Sequence, residues 1–184
     1  DRRQRQVGHT LIVHDITQHV GLMRRLETYS RTDDLTKAYN RRYFMELGEQ
    51  EFNKARLFKR NAALIIFDLD SFKEVNDTWG HKAGDIALEA ISQVCQLALR
   101  SNDIFGRYGG DEFAIFLPET TFETAYQIAE RLRICIAQTM LPVGSPSIYT
   151  TASFGVTDLT PVSPSSLEEM IKNADSALYQ AKDK

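Results

Sequence analysis

The chain has 184 residues, 42% hydrophobic and 26% charged, with a formal net charge of −3. Such a composition is ordinary for a globular protein and leaves room for one domain with a core plus a short appendage. The small net charge argues against a general nucleic-acid binder, and no apolar run approaches the roughly 20 residues of a membrane span.

The opening residues are not expected to act as a signal peptide. Cys95 and Cys135 lie in apolar helical patterns and read as reduced core residues of a cytoplasmic protein. There is no CxxC pair or His/Cys cluster for zinc. The charged start without methionine, and an end inside a helical pattern at Lys184, read as a piece of a longer protein.

In chain order, "HTLIVH" (9–14) predicts a short strand. "DITQHVGLMRRLETYSR" predicts a helix capped by Asp15, with two loose apolar stripes. A lone strand and such a helix cannot bury themselves, so the plainer reading is a flexible leader and the sharper one a connector that pairs with another copy of itself. From Asp33 the elements alternate. A helix follows Asn40, with Phe44, Leu47, Phe52, Ala55 and Phe58 near helical spacing. "AALIIFDLD" (62–70) suits a strand buried on both faces. A short helix "SFKEVNDTW" and a turn "GHKAGD" precede a helix over 85–100, with Ile86, Leu88, Ile91, Val94, Cys95 and Leu97 inward.

Strands at 104–108 and 112–117 are joined at Gly109-Gly110, a dipeptide suited to a primed hairpin turn. Thr120 and Glu123 form a capping-box pattern for a helix through Ala137. A strand is expected over 147–157. A second capping box at Ser165 and Glu168 opens an amphipathic helix containing Leu167, Met170, Ile171, Ala174, Ala177, Leu178 and Ala181. This order predicts an α+β or α/β sandwich, one sheet with helices against it.

Two acidic points stand out. The first long strand ends at Asp68-Leu69-Asp70, and the hairpin tip carries Asp111-Glu112. If the hairpin lies beside that strand, Asp68 and Asp111 face one crevice. Carboxylates at strand ends suit Mg²⁺, which takes hard oxygen ligands and keeps waters for phosphate. The plainer reading is that each acid solvates a strand end. Lys73 and Asn76 share a helical face, where Lys73 can neutralise phosphate and Asn76 can read a base edge. Asp85 can accept from guanine N–H groups or simply cap a helix. No GxxxxGK[ST] pattern occurs, so any nucleotide site is not a P-loop.

"RYGGDEF" (107–113) resembles the signature of the GGDEF family, the bacterial diguanylate cyclases. "DDLTKAYNRR" (33–42), "FDLDSFKEVNDTWGHKAGD" (67–85), "ASFGV" (152–156) and "ADSALYQAK" (174–182) are similar to its other blocks, in order and at family spacing. The resemblance covers residues 31–184. It implies a mainly antiparallel central sheet flanked by helices, similar to the adenylyl cyclase catalytic core and polymerase palm. It also implies joining of two GTP into cyclic di-GMP with release of two pyrophosphates, one GTP per half-site of a homodimer.

Carried onto this sequence, the resemblance makes Asp68, the Leu69 carbonyl and Asp111 ligands of Mg²⁺, with Mn²⁺ as an alternative ion. Asp111 would also help deprotonate the attacking 3′-hydroxyl, with Glu112 beside it. Phe72, Lys73 and Lys182 would hold phosphates. Asn76 and Asp85 would read guanine, and His81 would support the pocket. Gly109 and Gly110 would let GTP cross the hairpin. "RSND" (100–103) resembles an inhibitory R-x-x-D motif, so Arg100 and Asp103, with Arg131, would bind the product; a helix-end ion pair is the plainer reading of that motif.

"GHTLIVHDIT" resembles the tail of a PAS-type sensor. The expected domains are therefore residues 1–15 (sensor remnant), 16–31 (connector) and 32–184 (catalytic domain). The domain is expected in the cytoplasm, and membrane attachment of the parent is left open.

Some positions depart from the family pattern. Lys37 and Ala38 stand where Gly-Leu is usual, and Trp79 where Phe is commoner. The resemblance implies a further strand with a phosphate-contacting basic residue, which would follow Lys184. The alternative to an active cyclase is a non-catalytic module that senses cyclic di-GMP or GTP. A cyclase that also accepts ATP is disfavoured by Asp85.

Overall fold

The computed structural model describes residues 31–143, 148–160 and 164–182. The strand at 9–14, the sensor remnant and the connector, except Arg31, lie outside the described residues. The elements are β1 (Tyr39–Asn40), α1 (Arg41–Phe58), β2 (Ala62–Leu69), α2 (Phe72–Trp79), α3 (His81–Ala98), β3 (Ile104–Arg107), β4 (Glu112–Pro118), α4 (Phe122–Gln138), β5 (Ala152–Asp158) and α5 (Leu167–Lys182). The sheet order is β1-β3-β4-β2-β5. Every pairing is antiparallel except β1 with β3. This is the expected α+β sandwich.

The continuous apolar run of β2 has a simple cause. All of its residues are buried, because both faces of the sheet are covered. Ala63, Ile65, Phe67 and Leu69 join the core under α3 and α4, which contribute Ile91, Cys95, Leu132 and Ile136. Ala62, Leu64 and Ile66 join a second core with Phe44 and Phe52 of α1 and Met170, Ala174 and Leu178 of α5. Side-chain alternation along the strand sorts the residues between the two layers. On the α5 side, β5 offers Gly155, where an added Cβ would lie 2.0 Å from the Ala174 carbonyl oxygen. The missing side chain lets α5 rest directly on the sheet backbone, which fixes where its last residue, Lys182, arrives.

Several local expectations are corrected. "GHKAGD" is not a turn. Gly80 alone, at φ 81, ends α2 and begins α3, so His81 to Gly84 are helical. Asp85 therefore lies inside the helix and caps nothing. Leu97 is 89% exposed, since two residues beyond the buried Cys95 it falls on the outer face of its helix, and Phe58, in the last turn of α1, is 62% exposed. Ala181 is also exposed.

Neither capping box forms as expected, and in each case the capping side chain is one residue later. Thr121 Oγ1 accepts from the Thr124 N–H, while the Thr120 hydroxyl donates to the Pro118 carbonyl. Ser166 Oγ accepts from the Glu169 N–H, and Glu169 accepts from the Ser165 N–H. The last predicted strand begins at Ala152. Before it, Ile148 makes only an isolated bridge with Leu141.

Candidate active site

The antiparallel register of β2 and β4 sets Asp68 directly opposite Glu112. Residues opposite each other project from the same face of a sheet, here the face covered by α5. Lys182 at the end of α5 donates its Nζ to Asp68 Oδ1 at 2.8 Å. Asp68 is only 9% exposed. Burial pushes its carboxyl above the ordinary range. Lys182 pulls the other way, and the negative charges of Asp111 and Asp70 add to the rise. Glu112 is raised by burial first, then by Asp68, Asp111 and Asp175, against the pull of Lys182. The Lys182 ammonium thus faces a cluster of carboxylates from two strands and a helix. Asp175 is the member that sequence reasoning missed. Its signal was its place seven residues before Lys182, on the same side of α5.

Among the described residues, no three acidic, His or Cys side chains converge as a ready-made metal cage. The donor chemistry nevertheless fits a hard divalent cation. Asp68 and Glu112 resist ionisation because of burial first and neighbouring negative charge second, and a doubly positive ion would favour their ionised forms. The Leu69 side chain is buried in the core, so only its main chain is available to a ligand. Asp70 is held elsewhere. Its Oδ2 accepts from Thr151 Oγ1 at 2.6 Å and its Oδ1 from Ser153 Oγ at 2.8 Å. Ser71, at φ 53, then turns the chain from the strand into α2.

Phe72 and Asn76 lie over Gly84. A Cβ on Gly84 would fall 2.2 Å from Asn76 Oδ1 and 3.0 Å from Phe72 Cζ. This glycine has an ordinary helical backbone, and its function is close approach between α2 and α3. Read as a turn residue, it was missed. Lys73, His81 and Asp85 are exposed around this contact. His81 and Asp85 sit four residues apart on α3, on one face of the helix. Among the described residues, the side chains of Lys73, His81 and Asp85 have no hydrogen bond or ion pair. They stand available to a ligand.

The hairpin tip is not a two-residue primed turn. Tyr108 and Gly109 N–H both donate to the Glu112 carbonyl, at 2.8 and 3.2 Å. Neither Gly109 nor Gly110 has a left-handed φ. A Cβ on Gly109 would lie 2.4 Å from Glu112 Oε2, whereas Gly110 faces open space. Gly109 therefore makes room for the Glu112 carboxylate.

Arg107 shapes the wider turn. Its Nε and Nη2 donate to the Gly110 carbonyl at 3.0 and 2.7 Å, and its Nη1 reaches both Asp33 oxygens at 3.1 and 3.2 Å. Asp33 Oδ1 also accepts from the Thr36 N–H at 2.8 Å and the Thr36 hydroxyl at 2.7 Å. Burial alone would raise the Asp33 carboxyl, but the Thr36 and Arg107 bonds outweigh it and hold the group below its ordinary range. Asp33 and Arg107 open two of the sequence blocks quoted above, yet neither was assigned a part.

Arg100 and Asp103 lie in the loop after α3, where the Arg100 N–H donates to Asp103 Oδ2 at 2.8 Å. The contact is made by the main chain, so the guanidinium is not the partner that the helix-end ion-pair reading requires. Arg131 on α4 donates to the Ala98 carbonyl at 2.9 Å and lines a separate depression with Tyr126 and Ile134.

A family model described as diguanylate cyclase, GGDEF domain, matches residues 30–184. The chain belongs to this family. Among curated proteins, it is 41% identical over 159 residues to the probable diguanylate cyclase DgcC of Escherichia coli K12, a match covering 86% of this chain and 42% of that protein. It is 37% identical over 177 residues to diguanylate cyclase DosC of the same organism, covering 93% and 38%. The chain thus spans less than half the length of these relatives.

Among solved structures, the GGDEF domain of DgcB from Caulobacter crescentus in complex with c-di-GMP has a TM-score of 0.78 at 29% identity, covering 84% of this chain and 91% of that one. Diguanylate cyclase SiaD, in complex with its activator SiaC from Pseudomonas aeruginosa, has a TM-score of 0.79 at 34% identity, covering 91% and 65%. No helix among the described residues is long and apolar enough to cross a membrane.

Proposed function

We propose that this domain condenses two GTP molecules into cyclic di-GMP with release of two pyrophosphates. Family membership sets the reaction class. The observation that carries the reading is the acid cluster of Asp68, Asp111 and Glu112 facing the cation Lys182. Asp68 and Asp111, with the Leu69 carbonyl, would hold Mg²⁺ or Mn²⁺. The bound ion supplies charge neutralisation for the triphosphate. Phe72, Lys73 and Lys182 place the phosphates, and Lys182 exchanges Asp68 for a phosphate oxygen when substrate enters. Asn76 and Asp85 read the guanine edge, with His81 beside them. Gly109 and Gly110 leave space over the hairpin.

Asp111, with Glu112, accepts the proton of the 3′-hydroxyl as that oxygen attacks the α-phosphorus of the second nucleotide. One P–O bond forms, the bond to pyrophosphate breaks, and the same exchange closes the ring. Catalysis here is positioning plus charge stabilisation. Each domain holds one nucleotide, so two copies must meet face to face. A connector over residues 16–31 and a PAS-like sensor ending near residue 15 would govern that meeting in the parent chain. Arg100, Asp103 and Arg131 would bind the product and restrain turnover.

The test is incubation with GTP and Mg²⁺, with chromatography of the products. Cyclic di-GMP and pyrophosphate in a ratio of about 1:2 support the reading. Binding of either nucleotide without conversion by a dimeric sample would favour the sensing module instead.

A further inference from the structure

Arg100 and Asp103 stand on the wall between two surface cavities. The larger, about 680 Å³, is also lined by the carboxylates Glu51 and Glu119. The smaller, about 250 Å³, is lined instead by Lys37 and Gln96 over a floor that includes Leu99 and Phe105. The two cavities share Tyr39, Arg100 and Asp103 but differ in the charged groups opposite them. Glu51 and Glu119 are each already paired, with Lys54 and Arg60, so the larger cavity adds no free cation to Arg100, whereas the smaller adds the ammonium of Lys37.

Lys37 occupies a position that a lysine does not favour. Its φ is 59, in the left-handed region that glycine adopts without penalty. Glycine is also what the family pattern has there. Backbone strain of this kind persists where the surroundings or the function demand it. The Lys37 ammonium makes one bond, to the Asp34 carbonyl at 2.6 Å, and an ammonium has three donors. Beside it, Gln96 directs its amide nitrogen to the Thr36 carbonyl and to Ser92 Oγ, which leaves its amide oxygen for another donor. Ala38, small where the family pattern has leucine, also lines this cavity.

We propose that Lys37 is a recognition residue of the Arg100–Asp103 site and seats a phosphate of a cyclic dinucleotide in the smaller cavity. The proposal rests on the reading of Arg100 and Asp103 as a product site and adds to it a residue, a cavity and an orientation. Arg100 and Lys37 hold the phosphate from two sides, while Asp103 and the Gln96 oxygen accept from the base.

The experiment is calorimetric titration of the full chain with cyclic di-GMP, for the unaltered protein and for Arg100→Ala, Lys37→Gly and Lys37→Arg. Lys37→Gly is expected to bind about tenfold more weakly, as loss of a charged phosphate contact implies. Lys37→Arg should stay within about threefold, because the charge is kept. The melting temperature of Lys37→Gly should not fall, since glycine accepts the left-handed backbone, so weaker binding there does not reflect unfolding. If Arg100→Ala weakens binding while Lys37→Gly leaves it unchanged, or if Lys37→Arg loses as much as Lys37→Gly, the role of Lys37 is overturned and the product site stands. If the unaltered chain fails to bind, or Arg100→Ala binds like it, the underlying reading of the site fails.

Discussion

Lys182 Nζ lies 2.8 Å from Asp68 Oδ1, so the last residue of one helix neutralises an acid at the end of a central strand. In the proposed reaction both groups have other partners, a cation for Asp68 and a phosphate for Lys182. The two roles compete. Lys182→Ala should therefore strengthen binding of Mn²⁺ alone by a few-fold while lowering kcat/KM for GTP by about tenfold or more, the loss typical of one charged hydrogen bond. Titration of Mn²⁺ and steady-state kinetics read the two effects separately. Weaker Mn²⁺ binding in the variant would mean that Lys182 supports the metal site instead of competing with it.

Glu112 carries a stability consequence. Its folded carboxyl is raised above the ordinary value by burial and by Asp68, Asp111 and Asp175. The folded state then holds the proton more tightly than the unfolded state. In metal-free protein this stability term is full below the ordinary carboxylate range. It is lost as pH rises from that range through the raised folded value, and stays lost above it. Glu112→Gln, which removes the ionisation, should raise the melting temperature at neutral pH in chelator and flatten its pH dependence. Adding Mg²⁺ should stabilise the parent more than the variant. A variant less stable than its parent at neutral pH would show that the ionised carboxylate is not strained.

Gly84 separates substrate positioning from folding. Alanine at an ordinary helix position is favoured over glycine by about 1 kcal/mol. Here its Cβ would strike the Asn76 side chain at 2.2 Å. Gly84→Ala should displace the Asn76 amide and raise KM for GTP by about tenfold, the effect of one lost hydrogen bond to the base. Thermal stability should change little, because propensity and clash oppose each other. An unaltered KM would remove Asn76 from base recognition.

The Asp33–Arg107 pair anchors the hairpin tip to the segment before β1, with an N–O distance of 3.1 Å. It is a positioning contact, and the two residues should act as a unit. Asp33→Asn and Arg107→Lys should each lower kcat by about tenfold with little change in KM, and the double variant should be no worse than the poorer single one, as coupled residues are non-additive. Because Asp33 is held below its ordinary pKa, its contribution to stability is present above the carboxylate range and is lost as pH falls through the lowered value. Additive losses in the double variant would mean that the bond does not transmit the effect.

The sequence was most legible where one physical demand dominated. The run at 62–70 could only be a strand covered on both sides, and it is. Asp68 and the Asp111–Glu112 tip were expected on neighbouring strand ends, and the β2–β4 register places Asp68 opposite Glu112. Legibility failed where two meanings share one residue type. Gly84 was read as part of a turn and Gly109 as half of a primed hairpin turn, yet both make room for a neighbouring side chain, Asn76 in one case and Glu112 in the other. Such close approaches arise between segments distant along the chain or folded back on themselves, and no periodicity reports them. Leu97 was counted inward although it lies opposite Leu88 and Cys95 around its helix, and Phe58 keeps helical spacing yet is exposed in the last turn of α1, so the core was overstated. The Asp33–Arg107 bond spans 74 positions and becomes visible only once β1 pairs with β3.

The central claim is that the acid cluster at the ends of β2 and β4 drives GTP condensation. The most direct measurement compares cyclic di-GMP formation from GTP and Mg²⁺ by the unaltered chain and by Asp111→Asn, both brought to the dimeric state. The account predicts one cyclic di-GMP for every two GTP consumed by the former, and a loss of at least about a thousandfold in the latter. No product from the dimeric parent, or most of the rate surviving in Asp111→Asn, would contradict it.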